Sequence, residues 1–221
     1  MNLHVGFISH PASATLRLPE VRSDVRALGQ YAVSLQQHGC RVQWLTSTNT
    51  AEVLAETMPL VSTDQDDLPP TCRYVVPCQP YRLAGLQLFC VEAEVWDRSD
   101  LHTRLYTFLC LLHREQSYDV LHAGGGLAAA YLSVYTACFL GIPSVVSYSG
   151  RDLTDTAAGG FMWQWVAQHV SLAIVNCQAD RERLLSHSAR VREHIRVVRT
   201  ASRTITPTVM ALYRRLHSIG A

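Results

Sequence analysis

VLHAGGGLAAAYLSVYTACFLGIPSVVSYSG, Val120 to Gly150, contains no Asp, Glu, Arg or Lys from end to end. At about 1.5 Å per helical residue such a run is long enough to cross a bilayer. Its glycines argue otherwise. Gly124 to Gly126 and the Gly141-Ile142-Pro143 breaker cut it into a strand, a helix (Leu127 to Leu140) and a second strand. Each piece has the size of an element buried inside an α/β sheet. The favoured reading is therefore strand, helix, strand, with no membrane span.

The same alternation extends outward in both directions. Upstream, Leu3 to Ser9 is an apolar first strand. Val25, Leu28, Tyr31, Ala32 and Leu35 then recur at helical spacing, with Ser23 placed to cap and Gly39 to stop the helix. Arg41 to Leu45 reads as the second strand, and a parallel pairing with the first demands a right-handed crossover. Asn49 to Pro70, with its acidic cluster at Asp64 to Asp67, reads as an exposed excursion. Arg73 to Val76 reads as a short third strand and Leu101 to His113 as an amphipathic helix. Tyr118 to His122, Ser144 to Ser147, Leu172 to Val175 and Ile195 to Val198 complete the strands. Helices near Ala157 to Val170 and Asp180 to Leu185 alternate with them. The pattern predicts a doubly wound α/β domain with a mainly parallel sheet, Rossmann-like, over residues 1 to 200; residues 201 to 221 form a linker and a last helix packing back.

Composition narrows the function classes. The 221 residues carry a net charge of +1 and 48% hydrophobic residues, with no basic stripe interleaved with aromatics, so a nucleic-acid partner is not expected. All 19 basic residues are arginine, which excludes a Schiff-base or P-loop lysine. The seven cysteines are odd in number, lack Cys-x-x-Cys spacing and sit mostly in apolar segments. That usage, with no secretory leader in the first residues, predicts a cytoplasmic protein with reduced core thiols. The histidines show no metal-binding spacing, so no metal site is expected.

In an open parallel sheet the ligand crevice lies beyond the carboxyl ends of the strands. The residues there are Ser9 and His10; His122 with Gly124, Gly125 and Gly126; Ser149, Gly150, Arg151 and Asp152; and Asn176, Cys177 and Gln178. Asp119 to Gly126 leads a strand into glycines and a helix, so backbone N–H groups would meet a phosphate or sugar hydroxyl, or else the glycines simply let helix and strand approach. His122 is either a ligand-facing group or a satisfied histidine at a strand end. Arg151 and Asp152 either bind a hydroxylated ligand or pair with each other. A solvated helix terminus is favoured over an anion site for Arg22, Asp24 and Arg26, and a structural thiol over a nucleophile for Cys177. No catalytic residue is assigned, His122 and Asp152 being the weak candidates.

Four stretches carry a family resemblance: YAVSLQQHGCRVQWLT (Tyr31 to Thr46), YDVLH (Tyr118 to His122), GIPSVVSYSGRD (Gly141 to Asp152) and LAIVNCQAD (Leu172 to Asp180). In this order they resemble the N-terminal, acceptor-side domain of the family-four retaining glycosyltransferases, which have two facing Rossmann-like lobes. The resemblance implies transfer from a nucleotide-activated sugar with retention, without cofactor or metal. Ser9, His10 and His122 would line the acceptor side, and Gly124, Gly125, Ser149, Gly150, Arg151 and Asp152 would face the interlobe cleft.

The chain departs from the family at three places. Arg22-Ser23 replaces its Gly-Gly loop, and Ser149 replaces its active-site histidine. After Ile195 to Thr200, where the family enters the donor lobe, Ala201 to Pro207 leads instead into Val209 to His217, which resembles the family's last helix. The sugar-nucleotide lobe is thus absent from these residues. The implied partners are a donor-lobe protein or a second copy, together with a sugar or glycan acceptor; contact with a membrane surface stays open. The alternative functional reading is a degenerate relative acting as a non-catalytic binding module. An unrelated flavodoxin-like protein is disfavoured because Ser9-His10-Pro11-Ala12 supplies no phosphate-cradling glycine loop.

Overall fold

The structure is a computed structural model, described here for residues 3–10, 19–97, 99–148, 160–187, 194–198 and 205–220. Two neighbouring apolar residues on each central strand point to opposite faces, so both faces of the sheet need cover. On β1 (His4–Ser9), Phe7 and Ile8 enter different cores, as do Trp44 and Leu45 on β2 (Arg41–Ser47). Val120 and Leu121 on β6 (Val120–Gly124), and Val145 and Val146 on β7 (Ser144–Tyr148), repeat the division. One core is closed by α1 (Pro19–Gln37), α2 (Thr48–Ala55) and α8 (Ile205–Gly220) through Val25, Leu35, Leu54, Met210 and Tyr213. The other is closed by α3 (Ala93–Asp97), α4 (Ser99–Glu115), α5 (Leu127–Leu140), α6 (Gly160–His169) and α7 (Gln178–His187) through Trp96, Phe108, Val134, Val166 and Leu184.

The remaining strands are β3 (Leu60–Ser62), β4 (Cys78–Leu83), β5 (Leu86–Val91), β8 (Leu172–Val175) and β9 (Ile195–Val197). Their order across the sheet is β3-β4-β5-β2-β1-β6-β7-β8-β9. From β5 to β9 every neighbouring pair is parallel, while β3–β4 and β4–β5 are antiparallel. The doubly wound, mainly parallel α/β fold expected from the sequence is therefore the fold observed. The chain leaves β1 toward β2 and later returns on its other side as β6. That reversal puts a topological switch point between β1 and β6.

Several local expectations are corrected. Arg73 to Val76 is a run of turns, not a strand: Cys72 and Val76 are buried in the α4-side core, and the Arg73 guanidinium donates to the Leu68 carbonyl and pairs with Asp66 at 3.0 Å. The antiparallel flank of the sheet is instead the β4–β5 hairpin, with β3 at its edge, turned at Ala84 and Gly85 with φ of 48° and 91°, both in the left-handed region that a two-residue hairpin turn requires. The Asn49 to Pro70 excursion contains most of α2, all of β3 and a short 3-10 turn at Gln65–Asp67. Helix α1 begins at Pro19, a residue suited to a first helical position, so Ser23 lies inside the helix rather than capping it. At the other end of the central crossover, Gly141 is left-handed (φ 68°) and Ile142 N–H donates to the Ala137 carbonyl, ending α5 ahead of Pro143.

Helix α8 packs Val209, Met210 and Tyr213 against the sheet at helical spacing, with Leu212 and Leu216 beside them. Tyr213 is completely buried. Removing such a side chain leaves a cavity the core cannot refill, so Tyr213→Ala is expected to lose roughly 3–5 kcal/mol of unfolding free energy in urea denaturation. A loss below about 1 kcal/mol, within the range of an ordinary surface change, would show that α8 contributes little to the fold.

Candidate functional site

The switch point brings three strand ends into one row. Ser9 is in register with Gly124, and Gly124 with Ser147, so β1, β6 and β7 finish side by side. Gly125 and Gly126 follow with φ of 76° and 75°, conformations that a side chain would strain, and lead directly into α5. The N-cap residue of α5 is Gly126, so the helix start and the positive end of its dipole stand next to this row. Such a terminus favours an anionic or hydroxyl-rich ligand.

The glycines do different jobs. A Cβ on Gly124 would come within 2.7 Å of Leu28 Cδ2 and 3.0 Å of Phe7 Cζ, so this position is glycine because α1 packs directly over it. At Gly125 a Cβ would meet only Leu28, at an ordinary 3.7 Å; there the backbone conformation is the constraint.

The polar side chains at the row are engaged with the protein itself. Ser9 is wholly buried: its hydroxyl accepts from Trp44 Nε1–H at 2.8 Å and lies 3.1 Å from Thr46 Oγ1, while Thr46 O–H donates to the Ser9 carbonyl at 2.9 Å. His10 is buried and stacked flat on Trp96 of α3, ring centroids 4.9 Å apart. His122 has no exposed surface, and both of its ring nitrogens face protein groups. Nδ1 faces the Tyr213 hydroxyl in close contact and the Tyr31 hydroxyl at 3.3 Å, and Nε2 lies 2.8 Å from Ser147 Oγ.

Burial pushes His122 down to about 3, so at neutral pH the ring is uncharged, with one donor and one acceptor. The consistent arrangement has the Tyr213 O–H donating to Nδ1 and Nε2–H donating to Ser147. Tyr31, whose phenol is 3.2 Å from that of Tyr213, extends the chain. Burial raises both phenols, which keeps them protonated as donors. In this arrangement His122 occupies the core and does not face the crevice. Of the two sequence readings, the geometry matches the satisfied histidine.

Sequence reasoning missed Ser147. It ends the hydrogen-bonded chain beside Gly124 at the crevice row and is partly exposed. Its position two residues upstream of the polar group at Ser149, in phase with Val145 on the strand, was the available signal. Ser149, Gly150, Arg151 and Asp152 lie outside the described residues. Arg22 and Arg26 pair with Glu56 just after α2, so this helix start is tied by a local ion pair. Cys177, at the end of β8, is exposed. Among the described residues no cluster of His, Cys, Asp and Glu is arranged to hold a metal ion, and no helix is long and apolar enough to cross a membrane.

No family model matches the chain, and no curated protein does. Solved structures do match its fold. A sucrose-phosphate synthase structure from Thermosynechococcus elongatus aligns with a TM-score of 0.60 at 14% identity over 96% of this chain and 98% of that one. The UDP-N-acetylglucosamine 2-epimerase of Rickettsia bellii aligns with a TM-score of 0.57 at 12% identity, covering 97% of this chain and 48% of that one. The UDP-GlcNAc 2-epimerase of Neisseria meningitidis bound to UDP-GlcNAc gives 0.54 at 11%, covering 97% and 50%. The chain thus spans about half the length of the epimerases. It shares the Rossmann-like fold of these structures.

The buried imidazole sets a pH dependence. In the unfolded chain His122 titrates near 6.5, in the folded one near 3, so the unfolded state binds the extra proton between those values. Its contribution is complete above about pH 6.5 and is lost as pH falls toward 3, at up to about 1.4 kcal/mol per pH unit. Burial also lowers His4 and His113, so the wild type is compared with His122→Gln. Urea unfolding from pH 7 to pH 4 is expected to show a shallower slope in the variant; equal slopes would mean that another group titrates.

Proposed function

We propose that this chain is the acceptor-side lobe of a retaining glycosyltransferase related to family four, and that a separate donor lobe completes it. The observation that carries the reading is the row of strand ends at the switch point, with the start of α5 behind two left-handed glycines. That is where an α/β sheet of this topology binds ligands. Helix α8 lends support, because it packs on α1 and the sheet like the family's last helix, though no donor lobe stands between it and β9 in this sequence. The near-complete mutual coverage with the sucrose-phosphate synthase structure agrees with a single lobe of this size.

In this reading the acceptor sugar lies on the His10 side of the row, and Gly124, Gly125 and Ser149 to Asp152 face the cleft to the donor lobe. The donor is a nucleotide-activated sugar held by the partner. His122 acts indirectly, fixing Ser147 at the row through its Nε2–H. UDP-sugars are the first donors to test, since an epimerase of the same fold is described bound to UDP-GlcNAc.

A non-catalytic binding module is the second reading. What favours it is the internal bonding of Ser9 and His122, which leaves neither side chain available to a substrate. The two are separated by mixing this chain with a free-standing donor-lobe protein, a UDP-sugar and a glycan acceptor. Transfer only in the complete mixture, reduced at least tenfold by Gly125→Val, is the expected result. Acceptor binding by calorimetry with no transfer in any mixture would leave the binding module.

A further inference from the structure

Helix α5 is apolar on every side and carries no charged residue, yet it lies at the surface of the helical layer between α4 and α6. A helix apolar all round is normally enclosed on all sides. Here its outer side presents Tyr135 at 44% exposure and Phe139 at 69%, and α6 adds Phe161 at 77%. These residues continue an aromatic array. Tyr106 of α4 meets Tyr135 and Phe139 edge-on at 5.3 and 5.4 Å, and Trp165 of α6 packs on Tyr131 and Tyr135 at 5.2 and 5.9 Å. Phe161 lies one turn before Trp165 on the same side of α6.

We propose that this three-helix face is the contact between two copies of the chain, related by a two-fold axis. Area is the first argument. Fourteen residues of α5 run about 21 Å, and three helices packed about 10 Å apart give a face about 30 Å wide. The footprint of about 600 Å², before side-chain relief is counted, approaches the roughly 800 Å² per partner of a stable interface.

Charge is the second argument. A two-fold contact sets each residue group against its own copy, so a charged face would repel itself. Neither α5 nor α6 contains Asp, Glu, Arg or Lys; the charged residues of the three helices, Asp100, Arg104, Arg114 and Glu115, all belong to α4, at one flank of the face. Aromatic enrichment with charge depletion is the composition of a subunit interface core. A lipid surface fits less well, because it favours basic side chains around the apolar ones; the chain has no lysine, and the three helices carry only two arginines, Arg104 and Arg114, both on α4 and offset by Asp100 and Glu115. This face is a side of the helical layer, whereas the crevice lies at the strand ends, so pairing here leaves the crevice open.

Sedimentation equilibrium of the full chain over a micromolar range tests the proposal. The expected result is twice the chain mass, with Phe139→Glu raising the dissociation constant by about 30-fold or more and Val61→Glu, on the distant edge strand β3, leaving it unchanged. Phe139 is largely exposed, so the variant is expected to keep the wild-type circular dichroism and unfolding midpoint. A monomer at every concentration, or a dimer indifferent to Phe139→Glu, overturns the proposal. So does a monomer whose cosedimentation with anionic vesicles, or with another protein, is abolished by Phe139→Glu. The readout is mass rather than sugar transfer, so failure here leaves the functional reading where it stood.

Discussion

A parallel sheet covered on both faces has only its strand ends left for polar chemistry, and this constraint organises the molecule. Seven consecutive parallel strands require crossovers, the crossovers lay helices on both faces, and the strands between them must be apolar in both directions. Glycine becomes obligatory where a helix presses closest, as Leu28 of α1 does over Gly124. What remains for a ligand is the row at the carboxyl ends, placed where the winding reverses between β1 and β6.

Inside that apolar frame, one polar chain is tolerated because each member has a partner. His122 has no path to water, and a buried imidazole left unpaired would cost about 1–3 kcal/mol. Tyr31 from α1, Tyr213 from α8 and Ser147 from β7 share the load around it. The arrangement links the last helix of the chain to the first and to the strand that ends at the crevice. A sequence feature that looked like site chemistry thus ties the elements of the domain together and, among the described residues, meets the crevice row at Ser147.

What the sequence made legible follows from this division. Helix and strand alternation was readable because periodicity reports burial, and burial is set by the two cores. The β4–β5 hairpin escaped because Pro80 interrupts β4, and Ala84-Gly85 is not among the strongest turn dipeptides. Arg73 to Val76 misled because a short apolar run can sink into a core as a turn without pairing to anything. The positions of Ser9, His10 and Gly124 at strand ends were legible from the order of elements. Whether their side chains faced a ligand or the interior was not, because Trp44, Trp96 and Tyr213 reach them from elements remote in sequence.

Both margins of the sheet are three-residue strands, β3 on one side and β9 on the other. A strand so short offers too few free backbone groups to template another chain. The antiparallel hairpin that departs from the parallel pattern therefore does more than close one flank. It tapers the hydrogen-bonding ladder to a stub, which limits the edge on which another chain could pair.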